Sequence, residues 1–142
     1  MFNSFQIFTP QNTDIVILDS NTSYEIHKCL PKRLSVTEIE FRNKYLIIFN
    51  LRYLYYFFYF FYRSRKIKYS LILSLIKIKK PKVVITCFDN NEFIGLVGVY
   101  FPEIKNIAIQ NGLRSLIPIH NWINIKYFPI LFGFGNHELK LI

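Results

Sequence analysis

An α/β fold in three layers, built around a parallel sheet, is what this sequence of 142 residues predicts. Three observations carry that expectation. The runs from Pro81 to Asn91 and from Asn106 to Gly112 each join a short apolar stretch to an abrupt cluster of amide or acid side chains. One short helical segment separates them. That is the βαβ arrangement of a parallel sheet, with polar residues where such sheets place their binding crevice. The third observation is Ile15-Val16-Ile17-Leu18, continuously apolar and rich in β-branching, as a strand buried on both faces requires.

After that strand, Ser20, Asn21, Thr22 and Ser23 can each cap a short helix from Tyr24 to Leu30, which Pro31 stops. Leu34 to Phe41 mixes polar and apolar residues, Thr, Val and Ile among them, and reads as a second, more exposed strand. From Lys44 to Lys80 there is no Pro or Gly, so the region reads as helical, in two helices broken near Arg63-Ser64-Arg65. In the second helix Ile67, Leu71, Leu75 and Ile78 form an apolar stripe, widened by Ile72 and Ile76, with lysines opposite. Pro81 resets the backbone and Val83 to Phe88 forms the next strand. A helix from Glu92 to Phe101 ends at Pro102, and Asn106 to Gln110 is another strand, its turn closed by Gly112. Pro118 to Pro129 is irregular and holds His120 and Trp122. Ile130 to Phe134 reads as a strand, and Gly135-Asn136 as the opening of a helix that has fewer than two turns before Ile142. The expectation is a single domain over residues 1–142, incomplete at its C-terminal end.

An apolar content of 51% is ample for a core, and disorder is not expected. The net charge of +9 is concentrated in a window without acids, which holds Arg63, Arg65, Lys66, Lys68, Lys77, Lys79, Lys80 and Lys82. Nucleic acid, an anionic membrane face or an anionic substrate could each answer such a patch, and so could plain solvation. The aromatics sit in apolar runs rather than among these cations, which disfavours nucleic acid. Cys29 and Cys87 form no CxxC pair and have no His at metal spacing, so neither a disulfide framework nor a metal site is expected, and a reducing cytoplasm fits best. The first ten residues do not make a secretory signal.

Tyr45 to Tyr62 is the one membrane suspect. It contains Asn50, Arg52 and six tyrosines, and an Arg at mid-bilayer costs roughly 2.5 to 3.5 kcal/mol. A buried helix is the favoured expectation, ahead of an interfacial helix and a true span.

Asp89, Asn90, Asn91, Gln110, Asn111 and Gly112 follow strands whose carboxyl ends would line a ligand crevice. Asp89 alone among them can act as a general base. The amides suit hydrogen bonds to hydroxyls or phosphate oxygens, and Arg114 suits a phosphate. Helix capping accounts equally well for Asp89-Asn90-Asn91, and turn formation for Gln110-Asn111-Gly112. His27, His120 and His137 are scattered and read as structural or exposed. There is no GxGxxG, P-loop or nucleophile elbow.

At Lys82-Val83-Val84-Ile85-Thr86, Asp89-Asn90-Asn91, Tyr100 to Lys105 and Ile107 to Gly112, with Arg114 after them, the chain resembles bacterial surface carbohydrate biosynthesis proteins. These are transferases related in architecture to GT-B glycosyltransferases and to capsule and teichoic-acid polymer transferases. The resemblance implies a Rossmann-like N-terminal half of a two-domain sugar transferase, facing the acceptor, with most nucleotide-sugar contacts in the other half. Polymer-transferase relatives place a His in the turn where this chain has Gln110-Asn111-Gly112. A chain limited to these residues is then expected to show little transferase activity. The partners implied are a nucleotide-sugar or glycan acceptor and a chain supplying the second half. No cofactor is expected. The rival expectation is a non-catalytic, basic, aromatic-rich protein resting on the inner membrane surface or on a partner chain.

Overall fold

The computed structural model describes residues 4–6, 11–18, 23–39, 46–48, 50–86, 92–109 and 130–132. Among these residues eleven elements follow in the order β1 (Ser4–Gln6), β2 (Ile15–Leu18), α1 (Ser23–Cys29), β3 (Val36–Ile39), β4 (Leu46–Ile48), α2 (Leu51–Ser64), α3 (Ile67–Lys79), β5 (Val83–Thr86), α4 (Glu92–Tyr100), β6 (Lys105–Ile109) and β7 (Ile130–Phe132). The main sheet has five strands in the order β3-β2-β5-β6-β7, and every pair in it is parallel. β1 and β4 form a separate parallel pair.

Alternation along the strands divides the core in two. Val16, Leu18 and Val84 point to one face, where they join Tyr53 and Phe60 of α2, most of α3, and Phe93 and Val97 of α4 in one cluster. Ile15, Ile17 and Ile85 point to the other face and pack with Ile26 of α1. The result is the three-layer α/β arrangement expected, with β2 buried at all four positions. The crossover from β2 to β3 uses one face and that from β5 to β6 the other. Right-handed crossovers running in opposite directions require this.

The amino edge of the sheet is tied together at Asp14. Its Oδ1 accepts from Lys82 Nζ at 3.0 Å, and its Oδ2 accepts from the Ser35 N–H at 3.1 Å and from Ser35 Oγ at 2.9 Å. The Asp14 carbonyl also accepts from the Lys82 N–H at 2.9 Å. The Lys82 bond, then those from Ser35, hold the Asp14 carboxyl down from an ordinary 3.8 to about 2.

Four expectations need correction. The span from Lys44 to Lys80 is not wholly helical, because Leu46–Ile48 pairs with β1 and Asn50 starts α2 by accepting from the Arg52 N–H at 2.9 Å. The break between the two helices does fall where expected, next to Arg63-Ser64-Arg65: Arg65 takes a left-handed conformation (φ 53°) that closes α2.

Nor is α2 a buried helix. Only Tyr53 and Phe60 are buried in it, whereas Leu51, Tyr55, Phe58 and Tyr62 are each more than 60% exposed. The stripe foreseen in α3 is also too narrow. Ile67 is exposed, but Ser70, Ser74 and Lys79 are buried with the apolar residues, because the sheet cluster lies on one side and α2 covers another. The two serines survive burial by bonding back to the helix, Ser70 Oγ to the Lys66 carbonyl at 2.9 Å and Ser74 Oγ to the Ser70 carbonyl at 2.6 Å.

The basic window, finally, is not a uniform surface. Lys79 is buried and its pKa is lowered by desolvation, while Lys82 is paired with Asp14. No helix among the described residues is long and apolar enough to cross a membrane. At 1.5 Å per residue α2 is about 21 Å long, short of a hydrocarbon core of about 30 Å.

Candidate functional site

A parallel sheet offers its crevice where the chain leaves two adjacent strands in opposite directions. Here that point lies between β2 and β5: from β2 the chain moves outward to β3, and from β5 it moves the other way to β6. The register pairs Leu18 with Thr86 and Thr86 with Ala108, so β2, β5 and β6 all end at one rim. The segments after β5 and β6 in the sequence therefore leave from that same rim. Those segments contain the candidate residues.

Asp89, Asn90, Asn91, Gln110, Asn111, Gly112 and Arg114 themselves lie outside the described residues. So do His120, Trp122, Cys87 and the helix expected from His137. What the fold provides is the common rim from which the two polar segments depart. Asp19, which follows Leu18 in the sequence, likewise lies outside the described residues.

The described histidine, His27, is structural, as expected: its ring donates from Nε2 to Glu38 Oε1 at 2.6 Å, linking α1 to β3. Cys29 is a free, exposed thiol. No group of three metal-ligating side chains occurs among the described residues.

A second concave feature lies elsewhere. Tyr55, Tyr56, Tyr59, Phe60 and Arg63 of α2, Lys77 of α3, and Val99, Tyr100 and Phe101 at the end of α4 line a cleft of about 330 Å³. Phe60 forms its floor, packed edge-on against Tyr100 at 5.2 Å and Phe101 at 5.8 Å between ring centroids. Lys77 is near the end of α3, which feeds β5, and Phe101 lies between α4 and β6. The cleft therefore belongs to the amino edge of the sheet, opposite the rim. Sequence reading missed it because its residues come from three helices.

These features define a parallel-sheet α/β domain with one switch point and a separate aromatic cleft. Comparison with protein-family models, with curated proteins and with solved structures gives no match to this chain.

Proposed function

We propose that this chain is a glycosyltransferase-like α/β domain of bacterial surface polysaccharide biosynthesis, forming the acceptor-side half of a sugar-transfer cleft. The supporting observation is the parallel pairing of β5 with β6 beside the switch point, which sends both polar segments out from one rim. In this reading Asp89 takes a proton from an acceptor hydroxyl, and Asn90, Asn91, Gln110 and Asn111 hydrogen-bond sugar hydroxyls or phosphate oxygens. Gly112 permits the turn and Arg114 pairs with a phosphate. The chemistry needs no metal and no bound cofactor, and the nucleotide-sugar is held by a partner half. Asp89→Ala and Gln110→Ala, introduced together into the protein, are expected to abolish glycan production while leaving the fold intact. Unchanged product from a normally folded variant removes both residues from the site.

A second reading draws on α2. Leu51, Tyr55, Phe58 and Tyr62 recur at helical spacing as an exposed apolar stripe, and exposed Arg52 and Arg63 flank it. An amphipathic surface of this kind, aromatic with a cationic border, suits the headgroup region of an anionic membrane. Co-sedimentation with anionic liposomes that weakens as salt rises is the expected result. Absence of binding at low salt dismisses the reading.

A further inference from the structure

The geometry points to the aromatic cleft between α2, α3 and α4 as a binding site for a phosphate-type anion joined to an apolar or aromatic body. This site is independent of the carboxyl rim and lies at the opposite edge of the sheet.

The inference begins with charge. Two full cations, Arg63 and Lys77, face the cleft, and no acidic residue among the described ones lines it. Arg63 lies with its guanidinium carbon 4.8 Å from the centre of the Tyr59 ring, and Lys77 Nζ lies 5.7 Å from that of Phe101. These contacts draw on positive charge but supply no oxygen acceptor, and neither cation makes an ion pair among the described residues. Their N–H donors remain available to a ligand. The nearby carboxyl ends of the helices oppose an anion with about half an elementary charge each. With three such ends against two full cations, the cleft stays positive.

Shape supplies the second half of the inference. The cleft volume of about 330 Å³ lies at the small end of ligand sites, enough for a phosphate and one ring or a short length of lipid. The walls are mostly aromatic, and Tyr55 and Tyr59, at 67% and 42% exposed, bring their rings to its mouth. Ring faces stack on planar or apolar groups, and tyrosine hydroxyls can donate to phosphate oxygens. An Arg presents a planar fork to a phosphate and a Lys a compact charge, so the pair can hold one anion from two sides.

A soluble aryl phosphate and a lipid phosphate headgroup share this chemistry, so the experiment has two arms. Phenyl phosphate, with inorganic phosphate as reference, is titrated into the full chain by calorimetry. Separately, the chain is co-sedimented with phosphatidylcholine vesicles containing phosphatidylglycerol, and with phosphatidylcholine alone. Arg63→Gln and Lys77→Gln are each measured in both arms after thermal melts establish that they fold. Phenyl phosphate binding tighter than inorganic phosphate, weakened about tenfold by each substitution, assigns the site to soluble ligands. Vesicle binding that requires phosphatidylglycerol and falls with each substitution, without phenyl phosphate binding, assigns it to a lipid headgroup. Binding in either arm that ignores both substitutions overturns the inference, and so does failure of the unsubstituted chain to bind in both arms, whatever the stability of the variants.

Discussion

Tyr53 offers the sharpest physical test of the helical layer. Its ring is only 2% exposed within the main core cluster, and its hydroxyl donates to the carbonyl of Leu71 at 3.1 Å, binding α2 to α3. Tyr53→Phe keeps the ring and deletes that bond, so it should cost about 1 kcal/mol. For a chain of this size that corresponds to a fall in Tm of about 3 to 4 °C. Tyr53→Ala also empties the site and should cost about 3 to 5 kcal/mol, a large share of a typical total of about 5 to 15 kcal/mol.

The pH dependence adds a signature that packing alone would not give. Burial pushes the Tyr53 hydroxyl above its ordinary 10.0. A folded pKa above the unfolded one means that the contribution is fully present below pH 10.0 and is lost as the pH climbs past it. Lys79 acts in the opposite sense, since burial lowers its pKa below an ordinary 10.5 and folding is favoured as it deprotonates. Comparison of the original chain with Tyr53→Phe cancels the Lys79 contribution. Urea midpoints at neutral pH and at about pH 11 should therefore show the stability advantage of tyrosine shrinking at the higher pH. An advantage that stays constant across this range, or a Tyr53→Phe cost above about 2 kcal/mol, refutes the assignment of a buried, singly bonded hydroxyl.

Three further outcomes follow from described side chains. Asp14→Asn should lower stability at neutral pH, and the gap from the original chain should close as the pH falls from 3.8 to about 2, because a depressed carboxyl stabilises only while it is ionised; acid unfolding curves that stay parallel would count against the Lys82 and Ser35 bonds. Asn106 is 1% exposed and its Oδ1 has no hydrogen-bond partner among the described residues, so Asn106→Val should leave stability unchanged or raise it by up to about 1 to 3 kcal/mol. A loss above about 1 kcal/mol in chemical denaturation would show that the amide is paired. Asn50→Ala removes the cap of α2 and should cost about 1 kcal/mol, together with faster hydrogen exchange in the first turn of that helix; unchanged exchange there would argue against the cap.

Much of the layering was legible in local pattern. The continuous apolar run at Ile15–Leu18 announced a strand covered on both faces, the run from Val83 announced the next strand, and Pro31, Pro81 and Pro102 marked where elements stop. The strand Leu46–Ile48 was hidden because its partner, Ser4–Gln6, is 42 positions away in the paired register, and a three-residue apolar run carries no period by which to tell strand from helix. For the candidate site, the polar segments and the parallel βαβ pairing of the strands before them could be read from the sequence, and β5 and β6 do pair in parallel; the place of β2 beside β5 could not.

The sequence by itself determined most strands of the main sheet and the helices beside them, because period and punctuation are properties of neighbouring residues. Only the tertiary structure decided the order β3-β2-β5-β6-β7, and with it the switch point. It also decided which cations stay available: Lys79 is buried, Lys82 meets Asp14, and Arg63 and Lys77 converge on an aromatic cleft. Charge availability depends on what packs against each group in space, and residues far apart along the chain set that.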